Sequence, residues 1–252
     1  MKSLSIGKAS QDAGLFLKRE AGLVVPIALL FTGIPVALLL QAIPPSLRRM
    51  GAGEAAATQA ELPSIALLLL FLCPILVLGG SLATYALALR PGISVGEALR
   101  HGFRRMPVAL GAALLMGLAL AVPLLVFGAL SPAAASGVLL ICALFLSARL
   151  LPLNAVVADR PVGAVAALRE SWMLSRGHMA RLLAFVVLIS IPIMIAQLVG
   201  QTLLGLVGFA LGGKDMAQQA GDVGAALALS LGQMVMIVMT AFIYRQLNAA
   251  RS

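Results

Sequence analysis

Residues Gly22–Ile43 run for 22 positions without a charged side chain. About 20 apolar residues in a helix cross the hydrocarbon core of a bilayer. Five comparable stretches follow, Ile65–Leu89, Val108–Leu130, about Ala134–Val157, about Leu182–Leu204 and Val223–Tyr244. The whole chain of 252 residues is 61% hydrophobic and 11% charged, with mean hydropathy +1.06. A soluble domain carries roughly 25% charged residues. The pattern predicts an all-α integral membrane protein, one polytopic domain with six transmembrane helices. Pro26, Pro35 and Pro192 predict kinks whose freed carbonyls neighbours or waters satisfy, and Pro44-Pro45 ends the first span. The fifth apolar run continues to Leu211. A straight helix over 182–211 would be about 45 Å long, so it is expected to tilt, to break near Gly200 or Gly205, or to turn along the surface. Residues 212–222, with Lys214, Asp215 and Asp222, are expected as a loop.

Charge placement sets the expected orientation. The net charge is +9, yet the basic residues gather in particular loops, which points to topology and away from nucleic acid. Fifteen of the 18 lysines and arginines lie in the first 20 residues, in 90–107, between Arg149 and Arg181, or after Tyr244. Arg48, Arg49 and Lys214 are the other three. Cationic loops stay in the cytoplasm, so both termini are expected there. A reporter fused after Ser252 should read out on the cytoplasmic side; a signal from the far side overturns the orientation. Lys8, Asp12, Lys18 and Arg19 interrupt any apolar core of a signal peptide.

Three of the charged segments predict amphipathic helices on the cytoplasmic surface. In residues 1–20, Ile6, Ala9, Ala13, Phe16 and Leu17 share a face, and Ser10 could cap the helix. Ser94-Val95-Gly96-Glu97 fits a capping box, after which Val95, Leu99, Phe103 and Met106 share a face. In 161–181, Pro161 suits a first helical position, and Val165, Leu168 and Trp172 share a face. The second and third segments align, Ala98-Leu99-Arg100 and Phe103 with Ala167-Leu168-Arg169 and Trp172. The N-terminal segment has the same placement without the triplet. The expectation is a threefold internal repeat of a surface helix and two spans, approximately 1–89, 90–160 and 161–252. Tyr85, Phe103 and Trp172 are expected at the headgroup layer.

Three features together resemble a known family. They are Arg149 with Pro152, the stretch Ala167-Leu-Arg-Glu-Ser-Trp-Met-Leu-Ser-Arg-Gly177, and the closing Tyr244-Arg245-Gln246-Leu247. The chain resembles the YciC-like bacterial inner-membrane proteins. It also resembles the related membrane domain that precedes some glycerophosphoryl diester phosphodiesterases. The resemblance implies a six-span protein of the bacterial inner membrane. It brings no catalytic residues, because the phosphodiesterase activity belongs to a separate soluble domain.

The spans hold one ionisable residue, Arg149, roughly 22 Å into the fourth from Ala134, where it and Pro152 are expected to interrupt the last third of the span. Arg149 could snorkel to the headgroups. Alternatively it pairs with Asp159 or Glu170, or holds a lipid phosphate with Arg169 and Arg176 nearby. The candidate lipid- and phosphate-contact residues are therefore Arg149, Arg169, Trp172, Arg176 and Arg100. Each cation near an anionic leaflet contributes about 1 kcal/mol. Gln197, Gln201 and Gln233 are candidates for a polar path, or else for hydrogen bonds between helices at about 0.6 kcal/mol each. His101 and His178 stand in no metal-type spacing, no phosphate-binding or Ser/His/Asp motif is present, and Cys73 and Cys142 sit in apolar runs. No metal, cofactor or catalysis is expected. The favoured expectation is a non-catalytic protein that organises membrane or envelope through lipid or protein contacts. A transporter or channel for a small or lipid-like solute comes second. The expected partners are anionic headgroups at the cytoplasmic face, and a second copy or another membrane protein, with no nucleic acid.

Overall fold

The computed structural model describes residues 5–43, 62–128 and 131–249. The expected stop at Pro44-Pro45 and nearly all of the expected 46–62 loop lie outside them. All regular structure among the described residues is helical. In chain order the helices are α1 (Ile6–Ala42), α2 (Ser64–Leu89), α3 (Val95–Gly128), α4 (Pro132–Arg149), α5 (Leu153–Asp159), α6 (Ala164–Leu174) and α7 (Met179–Ala249). Five helices are long and apolar enough to cross a membrane: α1, α2, α3, α7 and the segment Gly137–Asp159 that joins α4 to α5.

Two of the three expected surface helices are not separate elements. The N-terminal segment continues through Gly22 into the first apolar run, because nothing between Phe16 and Val25 costs more than one glycine, about 1 kcal/mol. Its cap is Ser5, whose hydroxyl accepts from the Lys8 amide at 3.3 Å; Ser10 lies inside the helix. The 94–107 segment likewise runs straight into the third apolar run through Pro107. One proline removes one ladder bond, too little to end a helix of 34 residues. The capping box forms as expected, with Glu97 N donating to Ser94 Oγ at 3.2 Å and Ser94 N to Glu97 Oε2 at 2.9 Å. Within α1, Pro35 has no N–H to offer, and residues Leu29–Gly33 widen into a π-helical turn of the kind associated with a break in the α ladder.

The fourth span is cut where Arg149 and Pro152 suggested. Helix α4 ends at Arg149 and α5 begins at Leu153. Pro161 does not start the next helix. It lies in a link whose Gly163 is the N-cap of α6. That helix turns Ala167, Ser171 and Leu174 inward, leaving Val165 and Trp172 exposed. Small residues let a short helix lie close against the core, and this outweighs the larger side chains.

The expected loop over 212–222 is also absent. Only Gly212 and Gly213 leave helical geometry, with Gly213 at φ +75°. Lys214, Met216, Ala217, Gln218 and Gln219 are good helix formers and Asp215 suits a first turn, so α7 is a helical hairpin with limbs over 179–211 and 214–249. The limbs touch backbone to backbone. A Cβ on Gly224 would stand 2.1 Å from the Gly200 carbonyl oxygen, and one on Gly208 2.4 Å from that of Met216.

The core gathers at the charged end of the bundle, around Leu82, Val156, Leu182, Phe185, Ile243 and Tyr244. Tyr85 and Phe103, expected at the headgroup layer, both pack against neighbouring helices, Tyr85 fully and Phe103 half-buried. Tyr85 is buried, and Phe103 packs on Phe31 with ring centroids 5.7 Å apart. Leu114, Leu118, Ile141, Leu188 and Leu206 stay exposed, a surface suited to lipid tails.

Candidate functional site

Arg149 is the last residue of α4, where the negative end of the helix dipole favours a cation. Its guanidinium carbon lies 4.9 Å from the Trp172 ring centroid and 5.7 Å from that of Phe145. The two rings meet edge to face at 5.8 Å. The break at 150–152 folds α5 and α6 back, and Ser171 Oγ donates to the Arg149 carbonyl at 3.3 Å. This bond fixes α6 so that Trp172, the next residue, covers the guanidinium. Arg149 Nε and Nη1 are shielded and have no hydrogen-bond partner. A shielded polar group without a partner costs about 1–3 kcal/mol, more when charged. Cation–π contact with two rings returns about 1–2 kcal/mol.

The expected pairing of Arg149 with Asp159 or Glu170 is not found. Asp159 Oδ2 accepts from Tyr244 Oη at 2.7 Å. Glu170 is engaged by Arg160 Nη1, whose Nη2 also donates to Asn248 Oδ1 at 2.8 Å. Arg160 has become the local carboxylate partner because it ends α5 beside α6, while Arg149 points to the aromatic side. Arg100, Arg169 and Arg176 are exposed and, among the described residues, form no ion pair beside Arg149. Of the expected lipid-contact residues, only Arg149 and Trp172 come together.

A second polar cluster joins the helix ends. Arg90 Nη2 donates to the Ala158 and Asp159 carbonyls at 3.3 and 3.1 Å. His101 Nε2 lies 2.7 Å from the same Ala158 carbonyl. A carbonyl can only accept, so Nε2 carries the proton and Nδ1 is left to accept from Arg90 Nη1 at 3.4 Å. Here the closing Tyr244-Arg245-Gln246-Leu247 takes its place. Tyr244 and Leu247 are buried, Gln246 Oε1 accepts from the Ser5 amide at 3.1 Å, and Arg245 lies 5.5 Å over the Phe242 ring. The spacing of these residues in the sequence does not predict this cluster. A signal was present: Arg90-Pro91 precedes one Ala-Leu-Arg triplet as Arg160-Pro161 precedes the other. The aligned residues 98–102 and 167–171 also follow one burial order, buried at both ends and exposed at the third position.

Gln197 and Gln201 lie on the first limb of α7 and Gln233 on the second. Gly232 packs on Ile193 and Gly224 on Gly200, which places Gln233 nearer the level of Ile193 than that of Gln201. Gln201 is exposed, the other two are partly buried, and none lines either of the two cavities at the charged end. Among the described residues, no three His, Cys, Asp or Glu side chains converge to hold a metal ion.

Comparison with protein-family models, with curated proteins and with solved structures returns no match for this chain.

Proposed function

We propose that this is a YciC-like, six-span protein of the bacterial inner membrane, both termini in the cytoplasm. It acts without catalysis, organising membrane or envelope through contacts of its cytoplasmic face with anionic lipid headgroups. The six spans are α1, α2, α3, the α4–α5 segment and the two limbs of α7. A threefold repeat is supported by the shared burial order and by the twice-used Arg-Pro before the triplet, and weakened by the N-terminal unit, which has neither the triplet nor the Arg-Pro pair.

The observation that carries the lipid reading is Arg149. Its guanidinium is held between Trp172 and Phe145 with two donors lacking an acceptor, beside an exposed apolar surface. A phosphate headgroup at that surface supplies the missing acceptor once the Trp172 ring, 39% exposed, moves aside. Arg is suited to this because its planar fork matches phosphate oxygens.

Trp172 is the sole tryptophan and so reports on the site directly. Titration of the detergent-solubilised protein with phosphatidylglycerol should shift its emission and saturate, while phosphatidylcholine should leave it unchanged. An identical response to both lipids, or none to either, refutes the reading.

A further inference from the structure

We propose a second lipid site, a groove between the N-terminal half of α1, the turn after α2 and the last turns of α7, which takes the phosphate headgroup of an anionic phospholipid. The site is separate from Arg149 and stands without it. The cavity is about 820 Å³, within the range of small-molecule sites.

The case rests on how its three walls line up. Along α1 one stripe faces the groove, from Lys8 and Asp12 through Leu15 and Arg19 to Leu23. Over those residues, about 22 Å of helix, the stripe starts at charged Lys8 and Asp12 and ends at apolar Leu23 and Val24, with Leu15, Phe16 and the Arg19–Glu20 pair between. The end of α2 changes the same way, from Leu87 to Arg90, and α7 from Phe242 to Arg245. Each wall thus sets a cation, Lys8, Arg90 or Arg245, toward the chain-terminal or loop end of its helix, with apolar Leu23, Leu87 or Phe242 deeper along it, an arrangement suited to a phospholipid with its headgroup at the cations. Leu15, 68% exposed and set between Asp12 and Arg19 on that stripe, leaves an apolar contact open in the wall.

The charges select an anion. Four cations line the groove against two carboxylates, Asp12 and Glu20. Arg19 is held by Glu20 at 2.8 Å, and Arg90 is committed to the Ala158 and Asp159 carbonyls. Among the described residues, Lys8 and Arg245 have no carboxylate within ion-pair distance. Arg245 lines the groove with its guanidinium carbon 5.5 Å from the Phe242 ring centroid, and a guanidinium fork can make two parallel bonds to a phosphate. Lys8 adds a point charge from the opposite wall.

The test is native mass spectrometry of the full-length protein in detergent, titrated with phosphatidylglycerol. The Lys8→Gln/Arg245→Gln protein should bind about thirtyfold more weakly than wild type, one contribution from each lost cation. Arg245→Lys should fall between them, since it keeps the charge and loses the fork. Both positions are exposed, and size-exclusion profiles should match. The Arg149 pocket is intact in all three proteins, so differences among them report on the groove alone. Equal phosphatidylglycerol affinity in wild type and double variant overturns the proposal. So does phosphatidylcholine binding the wild type as tightly, or sn-glycerol 3-phosphate competing at equal concentration, which would make the site a free-phosphate pocket.

Discussion

Gly224→Val should lower the thermal unfolding midpoint in detergent by about 10 °C, the largest effect expected of any single glycine. A Cβ at this position stands 2.1 Å from the Gly200 carbonyl oxygen and 2.6 Å from its carbon. Those are backbone atoms, so no rotamer change relieves the overlap and the two limbs of α7 must separate. Overpacking costs about 1–3 kcal/mol and occasionally more, and a clash against backbone belongs at the upper end. In a chain of this size each kcal/mol moves the midpoint by roughly 2–4 °C. Gly14→Ala is the control. Nothing lies within 4 Å of its Cβ position, and it sits inside α1, where alanine is favoured over glycine by about 0.5–1 kcal/mol. It should leave the midpoint unchanged or raise it slightly. A Gly224→Val protein that melts with wild type would mean that the limbs of α7 are not in backbone contact.

Tyr244→Ala should be comparably damaging for a different reason. Tyr244 is among the largest fully buried side chains, and its hydroxyl donates to Asp159 at 2.7 Å. Truncating a large buried aromatic costs about 3–5 kcal/mol. Tyr244→Phe separates the two contributions. It keeps the packing and removes one hydrogen bond to a carboxylate, worth about 1.5–3 kcal/mol. With Asp159→Asn as the partner, a double-mutant cycle should show coupling, the pair losing less than the two single losses together. Strict additivity would show that the hydroxyl and carboxylate do not interact. A Tyr244→Ala protein with unchanged thermal stability would place this side chain outside the core.

Much of the helical layout was legible because hydrophobic length is a property of a continuous stretch. The apolar runs, the break after Arg149 and the Ser94–Glu97 capping box depend on neighbours within a few positions. Helix boundaries were less legible where a charged amphipathic segment met an apolar run. The change in composition at Gly22 and at Pro107 marks a change of surroundings, and the backbone continues through both. The loop expected over 212–222 failed similarly. Its polarity was real, but Lys214 and Met216 to Gln219 favour helix, and two glycines suffice to reverse the chain.

The candidate site was legible only in part. Arg149 and Trp172 stood out as the charge within a span and the single tryptophan, and the structure brings them together. The carboxylates expected beside Arg149 went instead to Arg160 and Tyr244. In α6 the residues that pack are the small ones, Ala167 and Ser171, so the aromatic face read from helical spacing turned outward to cover Arg149.

The sequence by itself determined that this chain forms long apolar helices with its cations at particular ends, because hydropathy, capping and charge placement act locally. Only the tertiary structure decided which ends meet. Tyr244 reaches Asp159 across 85 positions, and Lys8 comes to share a groove with Arg245. No periodicity specifies such pairings. They follow from the close approach of the α7 limbs at glycine and from the fold of α5 and α6 after Arg149, which draw distant helix ends into one charged layer.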